Sequence, residues 1–171
     1  PEQIRDMIRV TEQKLGCVSI LVNAASVFKK TPFPVDDMSD WMHVTDTLIH
    51  GAFQCANAVV PAMQNTGEGI IINIIDLMAW QPRRGFAGHS VGKSALLALT
   101  RQMAVDLAPG VRVNAVAPGP VLPPEHYSKA TKDRIARRTL LKRWGRPKDV
   151  ARAVNFLIES DYITGEHITV D

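Results

Sequence analysis

The sequence contains very little cysteine. Its two cysteines, Cys17 and Cys55, lie far apart among apolar residues. We therefore predict neither a disulfide framework nor a C-x-x-C metal or redox site. Unpaired thiols are typical of reducing compartments, so the composition favours a cytoplasmic protein.

Long apolar runs are also missing. Apolar residues make up 46% and charged residues 22% of the 171 positions, which is typical of a soluble globular chain. No segment approaches the roughly 18 to 20 apolar residues that a membrane-spanning helix needs, and no signal peptide is visible. The histidines show no H-E-x-x-H or comparable ligand spacing, so we predict neither a membrane partner nor a bound metal.

The 11 glycines nowhere form G-x-G-x-x-G, the fingerprint of the turn that holds a dinucleotide pyrophosphate. A formal match to the phosphate-loop pattern does occur, with Ala87, Gly92, Lys93 and Ser94. Such a loop requires a strand that leads directly into the turn, but the nearest predicted strand ends at Asp76. We therefore reject a nucleotide-triphosphate site and place Lys93 in a helix.

Apolar runs and helical stripes alternate along the chain. Short runs that are almost wholly apolar or β-branched predict buried strands at 17–25, 69–76, 111–120 and 167–171. Apolar residues at helical spacing predict helices at 2–15, 36–64 with a break near Ser39, 88–107 and 147–158. This order predicts right-handed crossovers and an α/β fold, a doubly wound Rossmann-type parallel sheet in three α/β/α layers. We expect 1–171 to form one domain.

Residues 121–146 are predicted to be irregular or short-helical. Within 129–148 the chain is strongly basic, with Lys129, Lys132, Arg134, Arg137, Arg138, Lys142, Arg143, Arg146 and Lys148. A nucleic-acid surface is one interpretation, but the net charge of the whole chain is only +3 and few aromatic residues are interleaved. We favour a solvated helix face, or a segment that attracts an anionic substrate or a cofactor phosphate.

Several segments together resemble the short-chain dehydrogenase/reductase family. They are "ILVNAAS" (20–26), "GIIINIID" (69–76), "HSVGKSALLALTRQMAVDLAPGVRVNAVAPGPV" (89–121) and "RWGRPKDVARAVNFLIE…YITGEHITVD" (143–171). Each is a weak signal alone, but they follow the family's order over essentially the whole chain. The resemblance implies NADP or NAD as cofactor, and a first strand and glycine-rich turn preceding these residues. We therefore expect an N-terminally truncated fragment.

The family's catalytic set of Asn, Ser, Tyr and Lys is retained here only at Lys93. By the resemblance, His89 stands in the Tyr position, Asp76 in the Ser position and Leu48 in the Asn position. Asp in the Ser position is similar to pteridine reductases, so we expect a member close to these or to 3-oxoacyl reductases. The resemblance assigns catalysis to His89, Lys93 and Asp76.

Histidine can in principle replace the tyrosine. The ordinary pKa of imidazole is about 6.5, against about 10 for phenol, so imidazole needs no lysine to bring it into range. A carboxylate at Asp76 would favour the imidazolium, whereas an ammonium at Lys93 would disfavour it. Proton donation near pH 7 therefore depends on which neighbour contacts His89.

The resemblance also implies contacts with the ligands. It gives a cofactor set of Asn23, Ala24, Ala25, Lys93, Pro118, Gly119 and Val121. Substrate contacts are expected from Asp76 and Trp80, and 121–146 is expected to cover the substrate. Local turn or packing roles remain alternatives for each residue, and Asn73 and Asn114 are predicted to be structural.

The sequence thus predicts an NAD(P)H-dependent oxidoreductase that transfers a hydride to a carbonyl or imine group of a pterin or keto compound. By the resemblance, it pairs into a homodimer or homotetramer through helices 36–64 and 88–107. Two alternatives stay open: a dinucleotide-binding scaffold with weak or no catalysis, and a basic nucleic-acid-binding protein.

Overall fold

A computed structural model describes residues 2–171 of the chain. The strands are β1 (Ile20–Asn23), β2 (Gly69–Ile74), β3 (Val111–Pro118) and β4 (His167–Val170). The helices are α1 (Glu2–Leu15), α2 (Ser39–Thr45), α3 (Ala52–Thr66), α4 (Ala87–Leu107), α5 (Lys129–Arg138) and α6 (Pro147–Glu159). A π-helical segment, Asp46–Gly51, joins α2 directly to α3. Each predicted element is present, and the strands are shorter at their ends than predicted.

Local sequence signals set the helix ends. Gly16 has φ 86° and donates its N–H to the Glu12 carbonyl at 3.0 Å, which ends α1 as predicted. Gly67 ends α3 in the same left-handed conformation, with φ 74°. The predicted 36–64 helix begins only at Ser39, because the Asp37 carboxylate accepts from the Ser39 N–H at 2.8 Å and so replaces the intrahelical partner.

The four strands form one parallel sheet in the order β1–β2–β3–β4. Asn23 pairs with Asn73, and Asn73 pairs with Ala115 on the next strand. Val116 then pairs with Ile168. The predicted Rossmann-type parallel sheet with helices on both faces is confirmed.

The two faces of the sheet carry different helices. Ile71 and Val113 point towards α1, α3 and α4, where they join Ala56, Val59 and Met103 in one core cluster. Ile72 and Val116 point to the opposite face and pack on Leu157 of α6. This division follows from the two-residue period of strand side chains.

The chain moves across the sheet in one direction, yet α6 lies on the opposite face from α3 and α4. The crossover from β3 to β4 therefore has the opposite hand to the crossovers through α3 and α4. The prediction that all crossovers share the right hand is wrong for one of them. The connection from β3 to β4, residues 119–166, is long and contains α5 and α6. The packing of α6 on Ile72 and Val116 places this connection on the opposite face.

Buried amides link the sheet to α4 and to the segment between α6 and β4. Asn73 is fully buried and donates to the Thr100 hydroxyl at 2.9 Å. It also accepts from the Asn23 side chain at 2.9 Å. Asn114 donates to the Ile163 carbonyl at 2.8 Å. The predicted structural role of Asn73 and Asn114 is consistent with these bonds, which satisfy polar groups that burial would otherwise penalise.

We expect Asn73→Ala to lower the free energy of unfolding by about 1–3 kcal/mol, because it leaves polar partners at Asn23 and Thr100 unsatisfied in the core. Urea denaturation of the full-length protein measures this. The control is Asn155→Ala on an exposed position of α6, for which we expect a change within about 0.5 kcal/mol. Equal effects of the two substitutions would contradict a role for the buried amide network.

Candidate active site

The residues predicted to be catalytic meet at the carboxyl edge of the sheet. Asp76 follows β2 and begins a short 3-10 turn, Leu77–Ala79. His89 and Lys93 lie on the first two turns of α4, one helical turn apart and therefore on one face. Open α/β sheets bind their ligands at this edge.

His89 is almost completely buried, with 2% of its surface exposed. Its Nδ1 lies 3.1 Å from the Val27 carbonyl oxygen, which can only accept, so Nδ1 carries a hydrogen. Its Nε2 has no hydrogen-bond partner among the described residues and lies 3.6 Å from Asp76 Oδ2. The ring orientation therefore points Nε2 at the Asp76 carboxylate.

Asp76 is held on both sides. Its Oδ1 accepts from the Met78 N–H at 2.7 Å, and a third of its side chain, 32%, remains exposed. Burial alone would raise the pKa of this carboxyl, but His89, the Met78 N–H and Lys93 outweigh burial and hold the pKa below its ordinary value. Asp76 is thus an anion throughout the neutral range. Its bond to Met78 is also the local turn contact that the sequence allowed as an alternative.

Lys93 lies in the interior of the site, with 3% of its surface exposed. Its Nζ donates to the Ile74 carbonyl at 2.7 Å. Burial lowers the pKa of Lys93 to about 8, although the Asp76 carboxylate opposes the shift. Lys93 therefore lies in a helix, as predicted, and not in a phosphate loop.

Leu48 occupies the position where the resemblance expects Asn. It lies in the π-helical segment and is 1% exposed. A Cβ added at Gly92 would come within 2.7 Å of Leu48 Cδ1, so the two backbones approach closely. Leu48 therefore contributes packing on α4 and has no polar group to offer a water or a ligand.

The residues predicted to hold a cofactor differ in their availability. Ala24 and Ala25 are exposed just beyond β1, whereas the Asn23 side chain is engaged by Asn73. The Gly119 N–H donates to the Val170 carbonyl at 2.9 Å, and Val121 packs on Gly145. Ala24 and Ala25 thus have the free surface that a ligand contact needs.

A cavity of about 560 Å³ opens beside Asp76. Its walls come from the turn after β2, the strand ends and the predicted covering segment: Phe28, Asp76, Leu77, Met78, Gln81, Pro82, Arg83, Pro118, Gly119, Pro120, Leu122, Pro124, Tyr127, Ile135, Arg138, Thr139, Trp144 and Asp171. The expected contact of Trp80 with this cavity is not seen. Trp80 packs on His167 instead, with ring centroids 5.0 Å apart.

Two supporting residues were missed by the sequence analysis. The Val27 carbonyl fixes the His89 tautomer, and the Thr31 hydroxyl accepts from the Gly88 N–H at 2.7 Å. Thr31 is 2% exposed and so anchors the start of α4. A backbone carbonyl carries no sequence signal, and a single Thr in a loop has no periodicity that would reveal it.

Within residues 2–171, no group of three or more His, Cys, Asp or Glu side chains is arranged to hold a metal ion. No helix in the same range is both long enough and apolar enough to cross a membrane.

The fold and the geometry of this site are those of a known class of protein. The family model described as Enoyl-(Acyl carrier protein) reductase matches residues 1–171. The chain belongs to the short-chain dehydrogenase/reductase family, and the family prediction is confirmed.

Individual relatives agree with this assignment. The 3-oxoacyl-[acyl-carrier-protein] reductase FabG of Staphylococcus epidermidis is 33% identical over 99% of this chain and 72% of its own length. A gluconate 5-dehydrogenase from Burkholderia cenocepacia, in complex with NADP and tartrate, superposes with a TM-score of 0.92 at 30% identity, covering 99% of this chain and 69% of that one. FolM Alternative dihydrofolate reductase 1 from Brucella suis, in complex with NADP, gives 0.91 at 31% identity, covering 98% and 68%.

The lowered pKa of Lys93 predicts a pH-dependent stability. The pKa falls from 10.5 to about 8 on folding, so between these values the unfolded chain binds the proton more tightly than the folded chain. The contribution of Lys93 to the free energy of unfolding therefore rises with pH across that window. Between pH 7 and 10, we expect wild type to gain about 2–3 kcal/mol relative to Lys93→Met.

Urea denaturation of the full-length protein at pH 7, 8, 9 and 10 measures this difference. Lys148→Met, at an exposed position, is the matched control and should differ from wild type by a constant amount. Parallel pH profiles for wild type and Lys93→Met would show that Lys93 titrates normally.

Proposed function

We propose that this chain forms the substrate-reducing part of an NAD(P)H-dependent reductase of carbonyl or imine compounds, with His89 as the proton donor. The observation that carries the proposal is the buried, unpartnered Nε2 of His89, held 3.6 Å from the Asp76 carboxylate at the carboxyl edge of the sheet. A buried ring nitrogen without a partner is costly, and a substrate oxygen or nitrogen would satisfy it.

The chain's own residues fit one end of the cofactor. Lys93 carries three N–H donors and gives one to Ile74, so it retains donors for a ribose hydroxyl. Gly119 has no Cβ, and a side chain there would collide with Asp171, so the Pro118–Gly119 turn lies close against the end of β4; we assign this turn to the cofactor contact by the family's motif. We assign Asn23, Ala24, Ala25 and Val121 to the same contact, by the family's motif.

A bound nicotinamide cofactor would supply a hydride to the carbonyl or imine carbon. His89 supplies the proton. As an imidazolium it has N–H groups at both nitrogens; Nδ1–H stays with the Val27 carbonyl, while Nε2–H faces the site. Loss of the Nε2 proton to a substrate oxygen or nitrogen leaves the neutral tautomer that the Val27 contact already selects.

Asp76 has two functions in this scheme. Its negative charge lies 3.6 Å from Nε2 of His89 and stabilises a positive charge on that ring. Because a third of the side chain is exposed, it also has surface to accept from an N–H of the substrate. A pterin offers such N–H groups and would use both functions of Asp76. A keto compound without an N–H group would use only the negative charge beside His89. The similarity to both FolM and FabG supports these two substrate classes.

A catalytically weak dinucleotide-binding scaffold is the second candidate. Leu48 favours it, because this buried apolar side chain has no polar group that could hold a water molecule for proton transfer. Titration of the full-length protein with NADPH and NADH, followed by assays with dihydrobiopterin and small ketones over pH 5–9, separates the two. Cofactor binding without turnover supports the scaffold, and failure to bind either cofactor contradicts both.

We also propose that the protein pairs through α3 and α4. Phe53 on α3 is 49% exposed, and Val91 and Val105 on α4 are 47% and 77% exposed. Apolar side chains of this size, gathered on two long helices, favour burial against a second copy. Analytical ultracentrifugation of the full-length protein tests this, and a monomer at micromolar concentration would contradict it.

Substitution of His89 tests the proton donor. We expect His89→Phe to lower kcat by about 100-fold or more, since general acids contribute factors of about 10²–10⁴, while the Kd for NADPH changes little. His89→Tyr should keep activity and move the alkaline fall of kcat to higher pH, because the ordinary pKa of phenol exceeds that of imidazole. Steady-state kinetics over pH 5–10 measure both, with His43→Phe, at an exposed position of α2, as control. An unchanged pH profile in His89→Tyr would exclude His89 as donor.

Replacement of Asp76 tests its charge separately from its turn contact. Asp76→Asn keeps an oxygen for the Met78 N–H but removes the negative charge beside His89. We expect kcat to fall by about tenfold or more, because the carboxylate that faces Nε2 of His89 loses its charge. Asp106→Asn, at an exposed position of α4, should leave kcat unchanged. If Asp76→Asn did likewise, the carboxylate would not act on the donor.

A further inference from the structure

Two arginines line the cavity beside Asp76 and have no ionic partner among the residues that the structure describes. Arg83 comes from the loop between β2 and α4, and Arg138 from the last turn of α5. Both side chains are exposed to solvent. Within residues 2–171, neither guanidinium makes a hydrogen bond or a salt bridge, whereas nearby Arg143 and Arg146 both lie beside the Asp149 carboxylate. The cavity thus carries two uncommitted positive charges.

The acidic groups of the cavity are placed differently. Asp76 and Asp171 follow β2 and β4, so they lie at the sheet edge that forms the floor. Asp76 already faces His89 and Lys93, and Asp171 lies against Gly119. Neither carboxylate pairs with Arg83 or Arg138. The cavity therefore has at its floor the Asp76 carboxylate, which faces the proposed donor His89, and two exposed arginines at its rim.

Apolar side chains occupy much of the wall between floor and rim. Met78, Leu122, Ile135 and Trp144 line it. The volume of about 560 Å³ exceeds what a small ketone such as acetone would fill. A ligand that satisfies all three zones has a reducible group, an apolar body and a terminal negative charge.

We propose that the substrate is an anionic carbonyl or imine compound whose terminal oxyanion is bound by Arg83 and Arg138. This inference rests on the proposed function, because it assumes that the reducible group lies at His89. A guanidinium matches a carboxylate or a phosphate with two parallel N–H donors. Anion binding by Arg138 would also give the basic segment 129–148 a specific role at this one residue.

The chain supplies a matched control for each arginine. Arg84 and Arg137 are the sequence neighbours of Arg83 and Arg138, are also exposed and do not line the cavity. Substitution of any of the four by Gln removes one positive charge from the protein. A general electrostatic effect would therefore appear in all four variants, whereas a binding site affects only two.

Kinetics with paired ketones test the proposal. The substrates are 4-acetylbenzoate, its uncharged isostere 4-acetylbenzamide, and 4-acetylphenyl phosphate as the second oxyanion. We expect R83Q and R138Q each to raise KM for the preferred anion by about five- to tenfold, with KM for the amide within about twofold. R84Q and R137Q should resemble wild type, and 0.5 M NaCl should reduce the difference between anion and amide.

Equilibrium binding separates this inference from the proposed function. Benzoate and benzamide carry no ketone that could be reduced. Isothermal titration calorimetry of the full-length protein with saturating NADP therefore measures their affinity for the site of Arg83 and Arg138 without turnover. Tighter binding of benzoate than benzamide, lost in R83Q and R138Q, supports the oxyanion site even if no ketone is reduced. Equal affinity for the two probes, or equal losses in all four variants, overturns it. Thermal unfolding confirms that each variant is folded.

Discussion

The close approach of α4 to the loop at Thr31 and to the π-helical segment at Leu48 is the constraint on which the site depends. Two glycines make it possible: a Cβ at Gly88 would lie 3.2 Å from the Thr31 hydroxyl, and one at Gly92 would lie 2.7 Å from Leu48. The Gly88 N–H also donates to Thr31. Because the first turns of α4 are held this close, His89 and Lys93 reach the end of β2 and are buried there.

Burial of several ionisable groups at one point couples their chemistry. Lys93 loses solvation and its pKa falls to about 8, while the Asp76 carboxylate opposes that fall. The same lysine, with His89, holds the pKa of Asp76 down although burial would raise it. Each charge is tolerated because the others are present. A substitution at one of them therefore changes the protonation of its neighbours as well as its own contact.

The change of face between α4 and α6 explains where the cavity lies. The chain leaves β3 at Pro118 after α4, which packs on one face of the sheet, and next reaches α6, which packs on the opposite face. The connecting residues must therefore pass across an edge of the sheet, and they leave from the carboxyl edge. Tyr127, Arg138 and Trp144 line the cavity for this reason. The same passage places Arg138 of the basic segment in the wall of the cavity beside Asp76.

Sequence patterns alone determined the alternation of strands and helices and the helical setting of Lys93, because apolar periodicity is a local property. The set of His89, Asp76 and Lys93 came from the resemblance of the sequence to the family's motifs. The tautomer of His89, the apolar contact of Leu48 with Gly92, the position of Trp80 against His167 and the hand of the last crossover were decided only by the tertiary structure. Each of these depends on backbone atoms or side chains that are distant in sequence. Burial, and with it the pKa of Lys93, arises only when those distant segments pack together.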